Sequence, residues 1–210
     1  MAVRHFIVGT GEGLDVEFLG EIRDEVSFSC NSIGAIYDKT EWRPTYYVLS
    51  SENFTNPSRQ GDFLKSFAGT VYANRDFYAT IPQTDVRWFD GRPFPDTANW
   101  SPDWWSDNPE EWMSRYGTSL LPCAQLSFHM KPDEVYFLGC DGYAVGHVEG
   151  YPEWAEDFDK VKFGKTLQGA HELIEHKARE LGIMTFLVGN SSIKAHERIS
   201  YPELRQRLLR

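Results

Sequence analysis

The chain has 210 residues, 41% of them hydrophobic, enough to bury one sizeable core, and its length leads us to expect a single domain over 1–210. A formal net charge of −10 and a pI near 5.1 argue against broad nucleic-acid or anionic-membrane binding, because both need basic surface to meet phosphates or lipid headgroups. Three cysteines, Cys30, Cys123 and Cys140, are an odd set with no CxxC spacing, which speaks against a disulfide framework or zinc ribbon and for reduced thiols.

The first residues, MAVRHFIVGTGEG, hold no apolar run long enough for export, and no later run could span a bilayer, so a soluble, cytoplasmic protein is expected. Arg4 to Val8 reads as a strand that runs straight into Gly9-Thr10-Gly11-Glu12-Gly13-Leu14. Such a turn lets backbone N–H groups approach a phosphate without Cβ interference, although glycine turns after strands also serve plain structural ends and no GxGxxG or Walker lysine is present. A helix is expected near Asp15 to Arg23, a second strand over Val26 to Cys30 ending at Asn31-Ser32, and a turn or helix from Ile33 to Tyr37. Pro44 to Ser51, rich in aromatic and β-branched residues, predicts a third strand, Phe63 to Phe67 a short helix, and Thr70 to Ala73 a fourth strand.

From Phe77 the composition shifts to aromatics and prolines with little periodicity, and Pro82, Pro93, Pro95, Pro102 and Pro109 break any long element. The stretch 77–115 is expected to be an aromatic, proline-rich lid or insertion, since Trp88, Phe89, Trp100, Trp104 and Trp105 are costly to leave in water. Thr118 or Ser119 then caps a helix with Leu120, Leu121, Ala124, Leu126 and Phe128 on its apolar face. Lys131-Pro132-Asp133 stops it, and Glu134 to Gly139 is a short strand closed by the polar turn Cys140-Asp141-Gly142. Gly164 to Gly182 carries apolar residues in helical register, Met184 to Val188 is the next strand, ending in Gly189-Asn190-Ser191-Ser192, and Tyr201 to Leu208 is a final short helix.

Strands alternating with helices imply an α/β, Rossmann-like, doubly wound and mostly parallel sheet with helices on both faces. In such a sheet the polar strand ends collect on one edge, where ligands bind. The nucleotide-binding residues predicted at these strand ends are Gly9, Thr10, Gly11, Asn31, Ser51 and Asp141.

These motifs resemble the bacterial sialyltransferases of glycosyltransferase family 42 and the related 6-hydroxymethylpterin diphosphokinase-like proteins. In the sialyltransferase pattern a GNGPSL-like loop, a CN strand end, an SG helix start and a GID loop hold the nucleotide of a CMP-sugar. Here they read Gly9-Thr10-Gly11-Glu12-Gly13-Leu14, Cys30-Asn31, Ser119-Leu120 and Gly139-Cys140-Asp141, without the loop asparagine and with Leu120 in place of glycine. The resemblance adds Thr118 and Ser119, at the helix start, to the nucleotide-binding set and implies a metal-independent glycosyltransferase that moves a sugar from a nucleotide-activated donor to a hydroxyl acceptor. The alternatives are an ATP- and Mg²⁺-dependent diphosphotransferase acting on a small alcohol, and a non-catalytic nucleotide-binding module.

That family's histidine base precedes the late helix, where this chain has Val161-Lys162-Phe163-Gly164-Lys165. The catalytic candidates are thus Lys165, as a lysine of depressed pKa or a phosphate-neutralising charge, and His147, an imidazole able to accept a hydroxyl proton near neutral pH. His171 and His176, at i, i+5, lack metal-ligand spacing and are read as solvated or capping. The acidic residues Asp141, Glu149, Glu153, Glu156, Asp157 and Asp159 are read as a solvated face in preference to a Mg²⁺ site, so no metal ligands are assigned.

Overall fold

The computed structural model describes residues 2–30, 32–50, 67–77, 85–95, 99–142, 147–149 and 160–209. Among these residues nine parallel strands form one sheet: β1 (Arg4–Val8), β2 (Val26–Cys30), β3 (Tyr46–Leu49), β4 (Thr70–Asn74), β5 (Val86–Arg92), β6 (Trp112–Ser114), β7 (Glu134–Leu138), β8 (Met184–Val188) and β9 (Glu197–Ile199). Their order is β6-β5-β4-β3-β2-β1-β7-β8-β9. The chain walks outward from β1 to β6, then crosses back to lay β7 on the other side of β1. The winding direction reverses there, and β1 and β7 pair in register from Arg4↔Glu134 to Val8↔Leu138.

Period-two alternation within the strands sorts their side chains onto two faces, and both faces are covered, as expected of a parallel sheet. Ile7, Phe28, Val48, Val135, Phe137 and Leu187 point to helices α1 (Leu120–His129) and α2 (Lys160–Leu181). Phe6, Val8, Tyr47, Leu49, Tyr136 and Leu138 meet the 3-10 turns at Phe18–Ile22 and Ile33–Ile36, and Leu204 of helix α3 (Tyr201–Leu208). A capping box starts α3, with Ser200 Oγ accepting the Glu203 N–H and the Glu203 carboxylate accepting the Ser200 N–H. The three cysteines are free and buried.

The stretch 77–115, expected to be a lid or insertion, is described in part. It contributes β5 and β6 to the sheet, with Phe89 fully buried. Its aromatics pack inward: Trp104 stacks on Phe94 and meets Tyr116 edge-on at 4.8 Å, and Trp105 lies 5.2 Å from Phe128 of α1. Gln125 of α1 locks the segment by accepting the N–H groups of Ser106 and Ser114. The predicted helix at Phe63 to Phe67 falls almost wholly outside the described residues. Among the described residues no helix is long and apolar enough to cross a membrane.

Candidate functional site

Where β1 and β7 end, their loops continue side by side. Gly9 N–H donates to the Leu138 carbonyl and Gly11 N–H to the Gly139 carbonyl, both at 2.8 Å, extending the ladder beyond the strands. The approach is too close for side chains. A Cβ on Gly9 would stand 2.6 Å from the Gly139 oxygen, and one on Gly11 would fall on the Asp141 carboxylate. Asp141 is 2% exposed and accepts the Gly13 N–H at 2.5 Å. Burial raises its pKa above the usual carboxylate range, opposed by that backbone hydrogen bond. From the other side, Tyr201 Oη accepts the Asp15 N–H at 3.0 Å.

The glycines predicted to cradle a phosphate therefore serve first to bring two backbones together. The N–H groups of Gly9, Gly11 and Gly13 point into this junction. The loop forms a wall at the reversal point outside the strand ends, the crevice position at which open α/β sheets bind ligands.

His147 lies on this wall. It forms an isolated antiparallel bridge with Gly11, and the next N–H, of Val148, donates to the Thr10 carbonyl at 2.9 Å. Its Nδ1 is 3.1 Å from that same carbonyl and 3.2 Å from Thr10 Oγ1. A carbonyl only accepts, so Nδ1 carries the hydrogen and Nε2 is the basic nitrogen. Burial lowers the His147 pKa, with the Thr10 contact acting the other way, so the neutral imidazole is favoured. That is the form a general base requires.

Of the remaining predicted residues, Thr118, Ser119 and Lys165 are described. Ser191 Oγ donates to the Cys140 carbonyl at 2.7 Å and Ser192 N–H to the Asp141 carbonyl at 2.9 Å, drawing the end of β8 against that of β7. Lys165 is exposed on α2 and shares a cavity wall with Gly142 and Ser192. Gly117, at φ +69°, sits so close to α2 that a Cβ would come within 2.6 Å of the Thr166 oxygen, so the start of α1 abuts the turn that carries Lys165. Thr118 Oγ1 accepts the Leu120 N–H at 3.2 Å, whereas Ser119 makes no side-chain capping bond. Asn31 and Ser51 lie outside the described residues.

Sequence reasoning missed one polar network. His171, expected to be solvated or capping, is fully buried, and its Nδ1 meets His196 Nε2 at 2.9 Å. His196 Nδ1 in turn contacts Glu175 at 3.3 Å and Thr185 Oγ1 at 3.0 Å, and Thr185 donates to the same carboxylate. The carboxylate fixes the tautomers: His196 donates from Nδ1, so His171 must donate to His196 Nε2. Helical spacing alone could not reveal this, because the partners arrive from β8 and from the loop after it. His176, by contrast, is half-exposed and pairs with Glu180 at 3.1 Å.

Among the described residues no group of three or more His, Cys, Asp or Glu side chains is arranged to hold a metal ion. Of the acidic run, Glu149 pairs with Lys39 at 2.8 Å, and Glu153, Glu156, Asp157 and Asp159 lie outside the described residues.

No protein-family model matches the chain, and no curated protein matches it in sequence. Among solved structures it is similar to the MAf glycosyltransferase from Magnetospirillum magneticum AMB-1, with a TM-score of 0.63 and 16% identity over 100% of this chain and 36% of that one. A thiamine pyrophosphokinase from Bacillus subtilis aligns with a TM-score of 0.45 and 13% identity, over 89% of this chain and 60% of that one. The first likeness shows a shared Rossmann-like α/β fold, and the chain spans little more than a third of that protein's length.

Proposed function

We propose that this chain is a metal-independent glycosyltransferase, sialyltransferase-like in layout, that moves a sugar from a nucleotide-activated donor to a hydroxyl acceptor. The observation that carries the reading is His147 held by Thr10, with Nε2 basic, on the wall of the crevice where β1 and β7 part. The fold shared with a glycosyltransferase supports it.

In this reading the donor lies along Gly9, Thr10, Gly11 and Asp141, with Asn31 and Ser51 completing the nucleotide set. The acceptor hydroxyl attacks the anomeric carbon and its proton passes to His147 Nε2. As the new C–O bond forms, the bond from the anomeric carbon to the phosphate oxygen breaks, and the nucleotide leaves with that electron pair. The start of α1 at Thr118 and Ser119, a helix N-terminus, and the ammonium of Lys165 stabilise the leaving phosphate. Because Asp141 and the glycines are locked together beforehand, little reorganisation accompanies the reaction.

Thermal-shift measurements with CMP, UDP, GDP and ATP, each with and without Mg²⁺, test the assignment. Stabilisation by a sugar-nucleotide base independent of Mg²⁺ is expected. A response to Mg-ATP alone would replace the reading with diphosphate transfer, and binding with no turnover of any donor would leave a nucleotide-binding module.

A further inference from the structure

Next to the crevice, between α2 and the segment 192–195, a cavity of about 780 Å³ opens, with Gly142 on one wall. Its size suits a small organic ligand. The walls combine an aromatic, an amide, two carboxylates and two lysines: Trp100, Gln168, Glu172, Glu175, Lys165 and Lys194.

The planar groups are held in a fixed frame. The Glu172 carboxylate accepts Trp100 Nε1–H at 3.1 Å and the Gln168 amide N–H at 2.9 Å, while the Gln168 carbonyl accepts the Lys194 backbone N–H at 3.1 Å. Glu175 is bound by Arg179 at 2.9 Å and by the Thr185–His196 network beneath. Each Glu172 oxygen keeps a lone pair for a further donor. The side-chain ammonium groups of Lys165 and Lys194 are different: both are exposed, and among the described residues neither has a carboxylate partner. The cavity thus carries uncommitted positive charge on a chain whose formal charge is −10. An aromatic surface beside rigid acceptors suits a polyol ring with an apolar face, and the two ammonium groups suit an acid on that ring.

We propose that this cavity binds an anionic saccharide, a sugar bearing a carboxylate or a phosphate, with its ring against Trp100 and its acid held by Lys194 and Lys165. On the transferase reading above, which this inference extends, that saccharide is the acceptor.

Isothermal titration calorimetry on the full chain with glucuronate, glucose 6-phosphate and glucose tests the proposal, and the first two distinguish carboxylate from phosphate. Glucuronate or glucose 6-phosphate should bind at least about tenfold more tightly than glucose, the worth of one charge-assisted hydrogen bond. Lys194→Glu should remove that preference by a similar factor and Lys194→Arg should keep it, while Trp100→Ala should weaken all bound sugars together. Lys194 is exposed, so its substitution leaves the core intact. Equal binding of glucose and the acids, binding unchanged in Lys194→Glu, or no saccharide binding overturns the proposal. A parallel titration with CMP and UDP separates the two ideas: acid binding without nucleotide binding removes the donor site and leaves this one, and the reverse removes only this one.

Discussion

Asp141 and Gly13, 128 residues apart in sequence, are joined by a 2.5 Å hydrogen bond from the glycine N–H to the aspartate carboxylate. The bond fixes the loop after β1 against the loop after β7 at the point where the sheet reverses its winding. Everything proposed for the site depends on that junction being rigid.

Gly11 has little room to change. A Cβ there would meet both the Asp141 carboxylate and the Gly139 carbonyl. Gly11→Ala should destabilise the fold by about 2 kcal/mol or more, as forced overpacking does. Gly20→Ala, where a Cβ meets nothing within 4 Å, is the control and should stay within about 0.5 kcal/mol of the parent in urea melts.

Asp141 itself trades stability for position. Burial raises its folded pKa above the unfolded value, so the folded state holds the proton more tightly and stability falls as pH rises through the interval between the two. Asp141→Asn can still accept the Gly13 N–H through its amide oxygen and no longer buries a charge. Its melting temperature at neutral pH should equal or exceed the parent's, with a flatter profile as pH rises above the unfolded aspartate value of about 3.9.

The network under α2 acts with the opposite sign. Burial works against the Glu175 charge, but hydrogen bonds from His196, Thr185 and Arg179 prevail and bring its pKa to about 2. Its contribution is present above the unfolded carboxylate value, about 4.3, and is lost as pH falls toward 2. His171 and His196 are lowered chiefly by burial, and His5 is lowered to about 4 by burial despite its Ser127 contact, so each favours the fold while neutral and withdraws support as pH drops below about 6.5. Acid melts should show stability declining from pH 6.5 downward. Glu175→Gln should lower stability at pH 7 by about 2 kcal/mol, since it strips the charge that organises a buried pair.

His147→Asn separates the base from the scaffold. The asparagine amide can donate to the Thr10 carbonyl much as Nδ1 does, so melting should change little, whereas transfer should fall by about 10²- to 10⁴-fold, the usual contribution of a general base. A variant retaining most of the parent rate would move the proton acceptor elsewhere.

Much of the fold was legible because the central strands are short apolar runs closed by breakers. Arg4–Val8, Val26–Cys30, Glu134–Leu138 and Met184–Val188 stand where the pattern places them, and α2 ends before Gly182, at φ +72°. β5 was not legible. Its sequence, VRWFDGR, buries only Phe89 fully and alternates too weakly to stand out among prolines, and β6 has three residues. At the site, the glycines were read as room for a ligand; in the structure Gly9 and Gly139 approach each other closely and Gly11 and Gly13 approach Asp141, a tertiary contact that spacing does not reveal. The His171–His196 pair escaped because its logic is tertiary: one ring sits on a helix, the other 25 residues on, and both are neutral and buried.

The central claim is that the β1–β7 crevice receives a nucleotide. Glycine amide resonances stand apart in ¹⁵N spectra, and Gly9, Gly11, Gly13 and Gly139 lie where the loops after β1 and β7 meet. Titrating CMP or UDP without Mg²⁺ should shift these four signals while that of Gly20, exposed in the 3-10 turn Phe18–Ile22, stays still. Nucleotide-induced shifts that spare all four, or that arise only with Mg-ATP, would contradict the account.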